Sequence, residues 1–374
     1  MNNKKIAIIH DWFDTPGGAE NVIGNLLELY PDADLFSLVD FFSDDDRKKY
    51  LRGKQVTTSF IQKLPFSRTK FRNYLPLFPL AIEQFNLDAY DLVISSSHAV
   101  AKGVLTGPDQ THICYQYSPM RYAWDMYHTY FKEHNITGLK AFILRKVLHK
   151  IRLWDVVSSN RVDAFIAIST LIQKRIQKYY RRESDIIYPP VDTRKFTLYE
   201  EKMDYYFTAS RLVPYKKVKM IVEAFNENGR PLKVAGNGEQ YETLKNIAKH
   251  NIEILGYCSD EEMVLHMQKA KAFIYAAYED FGIVPVEAMS CGTPIIAYGK
   301  GGVLDTIKDG KTGILFDEQT VESLNHAVVT FENILFDAKA IRKHALLFSE
   351  KRFQNEFKVF VNKIKNSSVQ PIVR

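Results

Sequence analysis

AFIYAAYEDFGIVPVEAMSCGTPIIAYG, residues 272–299, changes character three times in 28 residues. The apolar, aromatic and β-branched run to Tyr278 reads as a strand, and Asp280, Phe281 and Gly282 make the turn after Glu279. Ile283 to Ser290 then reads as a helix with proline in its first turn, and PIIAYG (294–299) as a second strand. Strand, helix and strand in succession is the repeating unit of a parallel sheet covered on both faces.

The alternation runs through the whole chain. Runs at 6–12, 34–40, 91–98, 111–117, 163–169 and 185–190 form one series; those at 204–211, 231–236, 252–257, 272–278, 294–299 and 313–317 form another. Twelve strands in two series predict an α/β protein of two doubly wound, Rossmann-like domains. A chain of 374 residues suits two such domains. YPPVDTRKF (188–196) is turn-like, so the hinge is placed there, between an N-terminal domain 1–188 and a C-terminal domain 189–345. In the remaining segment, 346–374, Phe353, Phe357, Phe360 and Ile364 recur at helical spacing, so a helix is expected to pack an apolar stripe back towards the first domain.

Composition narrows the class. Hydrophobic residues make up 46% and charged residues 25%, the balance of a soluble globular protein. The first apolar run, IAII, is too short for a signal peptide, and none approaches the ~20 residues that span a bilayer. Cys114, Cys258 and Cys291 are widely spaced and odd in number, so reduced thiols in a cytoplasmic protein are expected. Residues 132–182 hold twelve Lys or Arg against three Asp or Glu. Within them, GLKAFILRKVLHKIRLWD (138–155) interleaves Leu139, Phe142, Ile143, Leu148, Ile151 and Trp154 with five cations. Such a helix suits either an anionic membrane surface or its own domain. Nucleic acid is not an expected partner, because no reader motif accompanies the charge.

In open parallel sheets ligands bind beyond the carboxyl ends of the strands. The loop after the first strand carries Gly17 and Gly18 before a helix, which suits a phosphate or simply a tight turn. After the first strand of the second series come Arg211, Lys216 and Lys217, cations at a helix start that an anion would balance. Gly236, Asn237 and Gly238 form a close-approach turn without the dinucleotide spacing. Glu279 stands at the ligand edge, with Glu287 about a turn inward and the amides of Phe281, Gly282 and Ile283 between them. That arrangement suits a nucleotide sugar, with acids on hydroxyls and amides on oxygens. Two carboxylates could also activate water, but that chemistry needs neither the cations nor the glycine turns. The DDD at 44–46 reads as a solvated turn or helix start, so no metal site is expected.

SRLVPYKKVKMIVEAF, the E-x7-E segment EDFGIVPVE and GTPIIAYGKGGVLDTI resemble the group 1 glycosyltransferases, family 4. GGAENVI, SSSHAVAKGV and CYQYSPMRYAWD extend the resemblance into the first half. The resemblance implies the GT-B fold, with two Rossmann-like domains facing across a cleft. It also implies retaining transfer from a nucleotide-diphosphate sugar, without an essential metal or other cofactor. By motif, Glu287 is similar to the residue that binds ribose, and Glu279 to the one near the transferred sugar. Arg211 and Lys216 resemble the diphosphate clamp, with Lys217 as second choice; Gly17 and Gly18 resemble the loop that closes over the diphosphate. His98 resembles the histidine near the reacting centre. Ser210 stands where many relatives have glycine, and Lys217 and Val218 where a small residue is common. The variant RLVPYKKV with SPMRYAWD is similar to bacterial polysaccharide mannosyltransferases. This favours GDP-mannose, with a UDP-sugar as the other donor, a glycan or lipid-linked sugar acceptor, cell-surface polysaccharide such as O-antigen as the product, and a cytoplasmic protein that can be peripheral on the inner face of the plasma membrane. A nucleotide-sugar epimerase and a non-catalytic sugar-nucleotide-binding subunit are the alternatives; a phosphorylase would need a pyridoxal lysine that is not in evidence.

Overall fold

The computed structural model describes residues 5–133 and 135–368. The chain divides into two units, one formed by residues up to Tyr188 together with those from Phe353 onward, the other by Pro189–Arg352.

The first unit holds β1 (Ile6–His10), β2 (Asp34–Ser37), β3 (Val56–Thr58), β4 (Leu92–Ser97), β5 (Thr111–Gln116), β6 (Ala164–Ala167) and β7 (Ser184–Ile186). They form one sheet in the order β3-β2-β1-β4-β5-β6-β7, and every pairing is parallel. β4 is buried along its whole length because helices cover both faces of a parallel sheet. The strand order reverses between β1 and β4, which pair from Ile6↔Leu92 to His10↔Ser96. β3 is a strand the sequence reading lacks: three residues at the sheet edge show no alternation to detect.

The second unit holds β8 (Tyr206–Ala209), β9 (Leu232–Ala235), β10 (Ile252–Gly256), β11 (Ala272–Tyr275), β12 (Ile295–Tyr298) and β13 (Gly313–Phe316), in the order β10-β9-β8-β11-β12-β13. All of these neighbours are parallel, and the reversal lies between β8 and β11. The helix Val218–Asn228 covers this sheet with Val218, Ile221, Val222 and Phe225, the i, i+3, i+4, i+7 set. Burying each is worth roughly 1.5–3 kcal/mol. Gly229, in the left-handed region, ends the helix and donates its N–H to the Phe225 carbonyl.

The chain passes from the second unit back to the first after Arg352, not after residue 345. Residues 346–352 stay with the second unit because Val191 N–H donates to the Phe348 carbonyl and Val191 bridges Ser349. Beyond them, Phe353, Phe357 and Phe360 of the helix Glu350–Ser368 are buried, and Phe353 meets the Tyr115 ring edge-on at 5.7 Å.

A buried ion pair fastens the helix Gly138–Ser159 to its unit. The Lys102 ammonium, fully buried, donates to Asp155 Oδ1 at 2.6 Å and to Ser158 Oγ at 2.9 Å. Asp155 Oδ2 accepts from Trp124 Nε1 at 2.7 Å and from the Tyr180 hydroxyl at 2.9 Å. Every strong partner of this carboxylate is therefore inside the protein, the condition under which a buried pair holds. The apolar residues of this helix divide between two faces: Leu148 and Ile151 are buried and Trp154 is half-buried, but Leu139, Phe142 and Ile143 are exposed. Asp44–Asp46 open a short helix capped by Ser43, whose Oγ accepts from Asp46 N–H. The three cysteines are free thiols, with Cys114 and Cys291 buried. Among the described residues no helix is long and apolar enough to cross a membrane.

Candidate functional site

In the second unit, the end of β8 and the end of β11 bring opposite charges together. β8 stops at Ala209; Ser210 and Arg211 follow, and Pro214–Lys216 form one 3-10 turn before Lys217, left-handed at φ 59°, starts the helix Val218–Asn228. That turn carries the Lys216 ammonium onto the Glu279 carboxylate, where they form an ion pair with both side chains largely buried. Arg211 and Lys217 are exposed. Tyr275, buried at the end of β11, has its hydroxyl pKa pushed well up, by burial first and then by the charge and hydrogen bonding of Glu279. β8 and β11 flank the reversal in strand order, where the loops of an open sheet part and leave room for a ligand.

The turn bearing Glu279 is clamped by the glycines that close the motif. Glu279 bridges Gly301 in parallel register, and Gly302 N–H donates to the Glu279 carbonyl at 2.8 Å. A Cβ on Gly302 would stand 2.3 Å from the Phe281 Cα, so only glycine lets the two loops touch. Gly282, at φ 82°, is the N-cap of the helix Ile283–Ser290, and no side chain accepts there. Phe281 is buried and Ile283 is half-buried. Glu287 is half-buried on that helix, and burial pushes its carboxyl up to about 7; Lys195 pulls the value back and Asp260 adds to the rise. Lys195 and Asp260 pair with each other at 2.9 Å, so Glu287 faces a different charged pair from the one that holds Glu279.

Gly236 and Gly238 serve their own chain. A Cβ on Gly236 would come within 1.8 Å of the Ser210 carbonyl oxygen, and one on Gly238 within 2.4 Å of that of Leu212. Between them, the exposed Asn237 accepts from Leu212 N–H at 2.9 Å. The turn therefore braces the Arg211 loop from beneath.

The first unit sets a carboxylate beside an imidazole at the corresponding reversal. Asp11, immediately after β1, is fully buried and accepts four backbone N–H groups: His98 and Ala99 on Oδ2 at 2.6 and 2.9 Å, Val100 and Ala101 on Oδ1 at 2.6 and 2.7 Å. His98 Nδ1 lies 3.2 Å from Asp11 Oδ2, with the Trp12 ring edge-on at 4.4 Å. Burial lowers the His98 pKa and the Asp11 charge opposes that. Beneath it His10 Nδ1 contacts Ser96, and His10 Nε2 stands 3.4 Å from Glu20 Oε1 without hydrogen-bond geometry. Gly17 caps the helix Gly18–Leu29 in an extended conformation open to any residue, and a Cβ there would lie 3.3 Å from Glu20 Oε2. The buried acid in the first turn complements that helix dipole.

Asp11, Glu20, Tyr275 and Lys195 neighbour the candidate residues and are absent from the sequence reading. Asp11 was detectable as an acid directly after a strand; Tyr275 reads as core in any apolar run. Among the described residues no cluster of three His, Cys, Asp or Glu side chains could hold a metal ion.

Residues 192–344 match the family model of glycosyl transferases group 1. An uncharacterised glycosyltransferase of Methanocaldococcus jannaschii is 28% identical over 221 residues, 57% of this chain and 62% of that protein. The GDP-mannose-dependent alpha-(1-6)-phosphatidylinositol monomannoside mannosyltransferase of Mycolicibacterium smegmatis is 33% identical over 138 residues, 32% of this chain and 36% of that protein. In both cases the match spans less than two thirds of the relative. Among solved structures, Anabaena HepE in complex with UDP and glucose superposes with a TM-score of 0.70, covering 96% of this chain and 100% of that one at 16% identity. With its two parallel sheets the chain shares the α/β fold of these solved glycosyltransferase structures, and residues 192–344, in its second unit, are similar to the group 1 glycosyltransferases.

Proposed function

We propose that this chain is a retaining glycosyltransferase that moves a hexose, mannose by preference, from a nucleotide-diphosphate sugar to a glycan or lipid-linked acceptor. The observation that carries the reading is the pairing of Lys216 with Glu279 at the strand-order reversal of the second unit. A diphosphate there takes the ammonium from Glu279 and gains the Arg211 guanidinium, and the released carboxylate faces the sugar hydroxyls. Glu287, one turn further along its helix, binds ribose. The first unit holds the acceptor and supplies His98.

The chemical step needs charge stabilised on a departing diphosphate. Arg211, Lys216 and the amides at the start of the helix Ile283–Ser290 provide it, without a metal in this reading. A leaving phosphate oxygen takes the proton of the acceptor hydroxyl on the same face, so configuration is retained. Mannose is favoured by the name of the mycobacterial relative, which is GDP-mannose-dependent; the HepE complex, with UDP and glucose, keeps UDP-sugars in the panel.

Thermal unfolding with GDP, GDP-mannose, UDP and UDP-glucose, followed by turnover of the best donor, tests the proposal. Stabilisation by one nucleotide and acceptor-dependent donor consumption are expected, with Arg211→Ala lowering turnover by on the order of 10²-fold. Donor consumption without acceptor points to an epimerase. Binding without transfer to any acceptor points to a non-catalytic subunit.

A further inference from the structure

The sheet of the first unit ends at β7, which among the described residues pairs only with β6. Ile187 N–H donates to the Ala167 carbonyl at 3.1 Å. In a parallel ladder, Asp185 and Ile187 therefore turn their main-chain groups towards β6, and Ser184 and Ile186 turn theirs away. The outward Ser184 carbonyl accepts from Gln173 Nε2 at 2.6 Å. Among the described residues no hydrogen bond meets the outward N–H and C=O of Ile186. A sheet edge in that state is a template for one more strand.

Two helices wall this edge into a groove. Adjoining cavities of about 560, 680 and 400 Å³ run along it, the first against the helix Thr170–Tyr180 and the last against the helix Glu350–Ser368. Residues 181–184 line both the first and the second, and Asp185, Phe360 and Lys363 both the second and the third. The third is an apolar slot of Ile186, Ile187, Phe360 and Val359, the last 68% exposed. The first is cationic: Lys174, Lys178, Arg181 and Arg182 line it against one acid, Glu183. Lys174, Lys178 and Arg181 are exposed at i, i+4 and i+7. A helix C-terminus favours cations only within its last turn, which leaves Lys174 unaccounted for.

A nucleic acid would match the cations but neither the slot nor the bare main chain. An extended polypeptide matches all three. We propose that the groove along β7 binds an extended segment of a partner protein as an eighth strand. The segment's apolar side chains fill the slot at Val359 and Phe360, and its carboxylates meet Lys174, Lys178 and Arg181. The groove belongs to the first unit alone, so the proposal is independent of the donor reading and is tested without any sugar nucleotide.

The test is fluorescence anisotropy of the full chain with the labelled probe peptides Val-Thr-Val-Glu-Glu-Glu and its reverse, one for each strand direction. Binding of at least one is expected, weakened by salt, with little binding when lysine replaces the three glutamates. Lys174→Glu/Lys178→Glu should weaken it roughly tenfold or more, with unchanged thermal unfolding because both positions are exposed. Val359→Asp should weaken it by closing the slot to apolar side chains. Ile186→Pro should weaken it too, since it removes an outward N–H and spares the bonds to β6. Binding of neither acidic peptide, or equal binding of the lysine versions, overturns the proposal. So does peptide binding that Val359→Asp and Ile186→Pro leave intact, which would assign it to surface charge alone. Self-association lost in Val359→Asp, without peptide binding, would assign the edge to a second copy of the chain and overturn it as well.

Discussion

Lys216, seven residues past the end of β8, donates to the carboxylate of Glu279, four residues past the end of β11. In the proposed donor complex each side chain occupies the place that a substrate charge would claim. Lys216→Ala should weaken nucleoside diphosphate binding about tenfold or more, the loss expected for a hydrogen bond to a charged group. Glu279→Gln should leave that affinity equal or higher, since the ammonium is no longer engaged, while sugar transfer falls. Calorimetric titration with GDP and UDP separates the two; equal weakening by both substitutions would contradict the exchange of partners.

Glu287 couples stability to pH. Burial raises its folded-state value to about 7, from 4.5, so the folded protein keeps a proton that the unfolded chain has lost. Its neutral form is fully compatible with folding at pH 4.5 and below. Between there and about pH 7 the carboxyl opposes folding progressively, by on the order of 1–3 kcal/mol in all. Glu287→Gln should therefore raise the melting temperature at pH 8 and change it little at pH 4.5, while weakening nucleotide binding. A stabilisation that is the same at both pH values would show that ionisation is not the cause.

Asp11 holds the 98–101 turn through four amide contacts and the His98 ring through a fifth. An asparagine presents an NH2 to two of those amides. Asp11→Asn should cost about 2–4 kcal/mol in urea unfolding, from donors left without acceptors. It should also lower the His98 pKa further, since the Asp11 charge is what opposes its burial. Histidine NMR titration reads the second effect separately from stability; an unchanged His98 value would remove Asp11 from its positioning.

The Lys102–Asp155 pair is fully buried on both sides. Lys102→Met leaves the Asp155 carboxylate with only Trp124 and Tyr180 as donors and should cost about 3–5 kcal/mol. Lys102→Met/Asp155→Leu should recover a large part of that, because the isolated charge is what destabilises. Urea unfolding of both variants checks it.

The doubly wound pattern was legible because a buried parallel strand is largely apolar along its length, as β11 (Ala272–Tyr275) and β12 (Ile295–Tyr298) are. The helix Ile283–Ser290 was legible to the residue, since proline in its first turn and the Asp-Phe-Gly turn before it mark its start. The clamp roles of Gly236 and Gly302 were not, because a glycine that fits against a neighbouring loop reads like one that fits against a phosphate. Neither was the meeting of Asp11 with His98, 87 residues apart, since only the pairing of β1 with β4 brings them together.

The return of the chain after Arg352 makes the second unit an uninterrupted insert and leaves the first in two pieces. Dissection of the gene should therefore be asymmetric. A fragment of residues 189–352 keeps all six of its strands, whereas a fragment ending at 188 strips Phe353 and Phe357 from Tyr115 and opens that core to water.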